Sequence, residues 1–166
     1  MSDSQVGAAG SVTLARQAHD DIVAHARETA PAECCGLIVG YKVSSGSSDG
    51  GSSGARIVEA VRTRNTSPNP NRFEINPEDH INGRRTARQR GLEVLGFYHS
   101  HPRSPARPSA TDLAEASYLA QLYVIVSVAA DPADLRMYRL EADGFREEPW
   151  TLEIPDAGPN LDHDRR

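Results

Sequence analysis

The sequence predicts an α/β domain with helices packed against one β-sheet. Two patterns carry that expectation. Short apolar runs, CCGLIVGY (34–41), LEVLGFYHSH (92–101) and LYVIVSVA (122–129), have the length and composition of buried strands. Three segments with helical spacing or helix-start residues are interleaved with them. A length of 166 residues is enough for one domain with a hydrophobic core, and we set its bounds at 12–150.

Residues 1–11 read as a loose leader. MSDSQVGAAGS has no basic region followed by an apolar core, so no signal peptide is expected. Thr13 is placed to cap a helix starting at Leu14, with Leu14, Ala18, Ile22 and Ala26 recurring every four residues as its apolar face. Pro31 ends it, and the strand 34–41 follows. SSGSSDGGSSG (44–54) cannot bury a core. It reads as a flexible loop rather than a domain boundary, because ARIVEAVR (55–62) resumes strand character at once. NTSPNPN (65–71) is a turn-rich loop. Asn76-Pro77 precedes a helix over 78–90, with Pro77 in its first turn and Gly91 at its end. The strand 92–101 comes next. Ser109 then opens a third helix carrying Leu113, Ala116, Tyr118 and Leu119. After the strand 122–129, LRMYRLE (135–141) alternates apolar and polar residues and reads as half exposed. Residues 155–166 read as a frayed tail.

Composition excludes several function classes. A hydrophobic share of 38% and a charged share of 25% fit a globular fold with polar loops. The formal net charge of -5 leaves no basic excess to displace counterions from phosphates, so no nucleic-acid partner is expected. Basic charge is local: Arg84, Arg85, Arg88 and Arg90 cluster, as a solvated helix face or as a docking patch for an acidic partner. No apolar run reaches the ~18 residues of a membrane span. The only cysteines, Cys34 and Cys35, are adjacent and cannot staple distant parts of a fold, which fits a reducing cytoplasm.

The chemistry concentrates in GFYHSHPRSPARPSATD (96–112). Residues i and i+2 of a strand share a face, so His99 and His101 can present two imidazoles to one point while Ser100 faces away. Asp112 is the nearest carboxylate, and the loop 102–108 can return the chain so that a helix starting near Ser109 presents it. Two histidines and one carboxylate leave the fourth tetrahedral position of zinc open, as in a catalytic site. Each part also has a plainer reading. Ser109-Ala-Thr-Asp112 fits a capping box, which competes for the same carboxylate.

HSH, followed after seven residues by Ser-x-x-Asp, resembles the motif of the JAMM (MPN+) metalloproteases, and PAECCGLIVG resembles their prokaryotic branch. The resemblance runs from about Leu14 to about Glu148. It implies a cytidine-deaminase-like α/β fold, with a mixed sheet flanked by helices. It also implies a Zn2+ cofactor held by His99, His101 and Asp112, with Glu33 as general base and Ser109 as a donor to the oxyanion. The implied substrates are peptide or isopeptide bonds at the C-terminal tail of a ubiquitin-like or sulfur-carrier protein, the tail lying extended along a sheet edge. The loops 65–76 and 102–108 are the expected substrate contacts. Cys34 and Cys35 read as one core residue and one neighbour of the site without chemistry; a fourth zinc ligand and a thiol that reaches the metal are the alternatives. His19, His25, His80 and His163 read as surface or helix-face residues, and Tyr98 and Trp150 as packing. A non-catalytic MPN-type scaffold is the competing function. Zinc deamination of a nucleoside lacks its His-x-Glu and Pro-Cys-x-x-Cys signatures here.

Overall fold

The structure, a computed structural model, describes residues 12–44 and 54–153. The leader 1–11, the glycine-serine stretch 45–53 and the tail 155–166 lie outside those residues. Eight strands, β1 (Val12–Ala15), β2 (Cys35–Val43), β3 (Gly54–Thr63), β4 (Glu93–His101), β5 (Leu122–Ser127), β6 (Asp134–Glu141), β7 (Gly144–Glu148) and β8 (Trp150–Glu153), form one sheet. Their order is β7-β6-β5-β4-β2-β3-β1-β8. The sheet is mixed. β4 runs parallel to β5, and β1 parallel to both β3 and β8, while the remaining pairs are antiparallel.

Two cores flank the sheet. On one face α1 (Arg16–Thr29) buries Ala18, Ile22 and Ala26 against Ile38, Tyr98 and Val124. On the other, α2 (Pro77–Gln89) buries Ala87 beside Leu37, Phe97 and Ile125. Each fully buried side chain such as Ile22 or Leu37 contributes about 1.5–3 kcal/mol. The start of α2 follows its sequence signals. The Asn76 side chain accepts from the Asp79 N–H (3.0 Å), Pro77 fills the first turn, and Glu78 and Asp79 complement the helix dipole. Gly91 adopts φ 71° just past the end, a left-handed conformation that glycine takes without strain. Gly83 lies so near β2 that a Cβ there would sit 2.3 Å from Leu37 Cδ1.

The first and third helices depart from expectation. Val12–Ala15 is a strand, α1 begins only at Arg16, and its N-cap is Ala15 with no side-chain cap bond, so Thr13 caps nothing. Leu14 is buried as a strand residue between β3 and β8. Pairing on both sides of this segment outweighs its helical spacing. α3 (Ala110–Glu115) is one short stretch with no buried residue. Ala116 is already extended, and Leu113, Tyr118 and Leu119 are exposed. With no core beneath it, α3 gains nothing by continuing, and the chain straightens to enter β5. β6 is more buried than its alternation implies, because Met137 and Tyr138 both pack, on opposite faces.

One irregularity aims the motif strand. Ile38 pairs with Gly96 but Val39 with Val94, so β4 carries an extra residue at Leu95. This bulge switches the alternation and puts Phe97, His99 and His101 on the α2 side, with Tyr98 and Ser100 on the α1 side. Gly96 makes the crowding possible, since a Cβ there would lie 1.8 Å from the Leu122 carbonyl oxygen. Gly96→Ala must push β4 away from β5. We expect it to lower stability by about 3 kcal/mol, read as a shift in the urea midpoint.

Candidate metal centre

His99 and His101 end β4, the central strand of the sheet, and both are buried. The return loop lets α3 present Asp112 to them. His99 Nε2 lies 3.2 Å from His101 Nε2 and 3.3 Å from Asp112 Oδ1, and His101 Nε2 lies 3.2 Å from Asp112 Oδ2. Edges of a tetrahedron around an ion with ligand bonds of about 2.0–2.1 Å are ~3.3 Å, so this donor set fits a zinc-sized cation. These three are the group of potential metal ligands among the described residues.

Neighbours hold each ligand in place. His101 Nδ1–H donates to the Pro105 carbonyl (2.8 Å), so Nε2 faces the centre, donating to Asp112 while it carries a proton and offering its lone pair to a cation once it loses it. The His99 ring stacks on Phe73, 4.3 Å between centroids. The Asp112 carboxylate accepts from the Ser109 N–H (2.8 Å), and the Ser109 Oγ accepts from the Asp112 N–H (3.0 Å). The capping box is therefore real, and it coexists with the histidine contacts rather than competing with them. A carboxylate has lone pairs enough for both.

Glu33 precedes β2 and is buried, with 9% of its surface exposed. It is outside the ligand group. Burial pushes its carboxyl up to about 7, with the His101 charge acting against the rise and Asp112 and Glu115 adding to it. Burial lowers His99. Burial acts against protonation of His101 too, but its bonds to Asp112 and the Pro105 carbonyl outweigh that and raise it. Burial alone would raise Asp112, and the hydrogen bonds from His101 and His99 reverse this and hold it low. Glu33 is tied to the strand that bears the histidines. The next residue, Cys34, donates its N–H to Ser100 Oγ (2.8 Å), and the Ser100 N–H donates to the Cys34 carbonyl (3.1 Å).

A groove of ≈ 570 Å³ runs from His99 and Asp112 between the loop 67–75 and residues 115–118. Phe97 and Tyr123 lie along it, and His80 of α2 lines it as well. Asn65 organises the loop wall. Its amide donates to the carbonyls of Glu33 (3.1 Å) and Arg72 (3.0 Å) and accepts from the N–H groups of Ser67 and Glu74. The expectation for 65–76 thus agrees with the groove, whereas 102–108 does not line it and 115–118 takes that place. The edge strands of the sheet are β7 and β8, and the centre sits on interior strands. Cys34 packs in the α1-side core, and Cys35 is the cross-strand neighbour of His99 with its thiol against Thr63 and Arg64. Neither sulfur joins the ligand group, and burial pushes both thiols up to about 11. Phe73 and the Pro105 carbonyl escaped the sequence reading. The lone large apolar side chain of NTSPNPNRFE was a usable signal for the first; a backbone carbonyl leaves none.

Among the described residues no helix is long and apolar enough to cross a membrane. Residues 15–141 match the family described as prokaryotic homologs of the JAB domain. The chain is 37% identical over 144 residues to a desampylase of Haloferax volcanii, covering 82% of this chain and 92% of that protein. It is 29% identical over 130 residues to a CysO-cysteine peptidase of Mycobacterium tuberculosis, covering 77% and 82%. A JAB1/MPN domain protein of Archaeoglobus fulgidus shares the fold at 19% identity, with a TM-score of 0.55 over 87% of this chain and 98% of that one. With most of its length matched, the chain belongs to the prokaryotic JAB/MPN domain family and to its peptidases and isopeptidases.

Proposed function

We propose that residues 12–150 form a zinc-dependent peptidase that cuts the bond at the C-terminus of a ubiquitin-like or sulfur-carrier protein in the cytoplasm. The convergence of His99, His101 and Asp112 at the head of a groove, with a buried glutamate beside them, carries this reading. The names of the desampylase and CysO-cysteine peptidase relatives support the substrate class. His99, His101 and Asp112 would hold the ion. Zinc bound there supplies Lewis-acid polarisation of the scissile carbonyl and lowers the pKa of an attacking water. Glu33 would serve as the general base toward the attacking water and return the proton to the leaving amine, a role suited to a carboxyl whose pKa lies near neutrality. The Ser109 Oγ accepts one backbone hydrogen bond and keeps its own proton to donate toward the developing oxyanion. An extended tail fits the groove between the loop 67–75 and residues 115–118.

Elemental analysis of purified protein tests this first. About one zinc per chain is expected in wild type and none in His101→Ala, with chelation abolishing cleavage of a Gly-Gly isopeptide or a sulfur-carrier–cysteine adduct. A wild type that takes up no zinc on reconstitution and cleaves neither bond overturns the hydrolase and returns the fold to a scaffolding role.

A further inference from the structure

The arginines of α2 take no part in this chemistry. Ile81, Arg84, Arg85 and Arg88 recur at i, i+3, i+4 and i+7 along one side of the helix. Among the described residues Arg84 and Arg85 bond only to uncharged neighbours, His80 Nε2 (2.9 Å) and Asn82 Oδ1 (3.4 Å), and Arg88 pairs with no carboxylate. Many other surface arginines are matched, as Arg62 with Glu28, Arg64 with Asp79 and Arg136 with Asp134, while Arg16, Arg103 and Arg107 are scattered singly and also pair with no carboxylate among the described residues. Arg84 and Arg88 are like charges at i, i+4, an arrangement that weakens a helix. The fold therefore keeps on α2 a stripe of positive charge that no carboxylate among the described residues neutralises.

The stripe begins at the groove. The Arg84 guanidinium sits 6.0 Å from the centroid of the Tyr118 ring, and Tyr118 lines the groove while packing on His80 and Phe97. Beside the positive charge are apolar groups open to solvent: Ile81 is 58% exposed and Tyr118 45%. The platform is firm, because Gly83 and Ala87 seat α2 tightly on β2 and the core beneath. A groove of ≈ 570 Å³ holds only a short extended segment, so the folded body of any tail-bearing substrate must rest outside its mouth.

We propose that this side of α2, with Tyr118, docks the folded body of the substrate protein, and that this body presents acidic residues around an apolar spot. The inference rests on the hydrolase reading above. A chain of net charge -5 repels an acidic protein at long range, and a local positive stripe then fixes the one orientation that feeds the tail into the groove.

Two fluorescent conjugates test it on the full-length, zinc-loaded protein. One is a ubiquitin-like protein of net negative charge joined through its terminal Gly-Gly to a labelled lysine peptide; the other carries its short tail alone. In Arg85→Glu/Arg88→Glu, kcat/KM on the protein conjugate falls about 10–100-fold through KM, and far less on the tail conjugate. Wild-type cleavage of the protein conjugate alone weakens toward about 0.5 M salt. The Kd of catalytically disabled Glu33→Gln for the intact ubiquitin-like protein rises in parallel when the two arginines are reversed. The milder Arg85→Gln/Arg88→Gln shows the same ratio at smaller size, which guards against misfolding of the reversal. Equal change on both conjugates overturns the docking surface and leaves the hydrolase standing. An unchanged ratio with lost affinity for single-stranded RNA reassigns the stripe to nucleic acid and overturns it as well. A wild type that cleaves neither conjugate overturns the hydrolase reading and this inference with it.

Discussion

Glu33→Gln is expected to lower kcat/KM on a Gly-Gly conjugate by about 10²–10⁴ while zinc content stays at the wild-type level. Glutamine has the same shape and fills the same buried space, so β2 and its bonds to Ser100 need not move. What it loses is the ability to accept a proton. Glu33 is not among the gathered ligand atoms, so the ion does not depend on it. The same change has an opposite effect on stability. The carboxyl is raised by burial to about 7, above its ordinary value, so it favours the folded state while protonated below the unfolded pKa. That contribution is lost as pH rises toward 7, where burial of the ionised group becomes a cost. In metal-free protein, Glu33→Gln should therefore match wild type near pH 4 and exceed it by about 1–2 kcal/mol above pH 7, after allowing for solvent that reaches the carboxyl. Chemical denaturation at the two pH values measures this. A variant that cleaves the conjugate at the wild-type rate removes Glu33 from the mechanism.

Asp112→Ala is expected to empty the centre, taking zinc from about one per chain to a trace and activity down by at least about 10⁴. Its carboxylate is the only anionic member of the ligand group, and without it two neutral imidazoles face a dication alone. The same side chain closes the capping box of α3 with Ser109. Loss of that cap costs about 1 kcal/mol in addition, visible as a lower melting temperature even in metal-free protein. Asp112→Asn separates the two roles. Its amide oxygen can still accept from the Ser109 N–H, so the helix start is kept while the ligand charge is gone. Full zinc occupancy in Asp112→Ala would sink the proposed ligand set.

The strands and the ligand set were legible because their signals are local. Apolar runs mark β2, β4 and β5, and the spacing HSH with Ser-x-x-Asp marks residues that the structure brings within 3.3 Å. Glu33 was legible only through family resemblance; by composition it is one acid among 23. β1 and β8 were not legible, since four-residue strands owe their existence to partners distant in sequence. The bulge at Leu95 hides for a similar reason: it is a mismatch between two strands and belongs to neither alone. The groove walls were half legible. Prolines and asparagines announce the loop 65–71, but the early end of α3 comes from the absence of a core beneath it, which no residue of α3 declares.

Glu33, His99 and His101 are held by the neighbouring interior strands β2 and β4, whereas the groove walls come from two separate connections, 67–75 and 115–118. Under the proposed function, the base and both imidazoles stand apart in the chain from the groove walls, and of the proposed site only the α3 segment with Ser109 and Asp112 adjoins one of them. Such a division lets a lineage change clients by lengthening, shortening or exchanging connections while the engine stays intact. Grafting both walls from a relative with another client should transfer preference along with the graft, and the recipient should keep its metal.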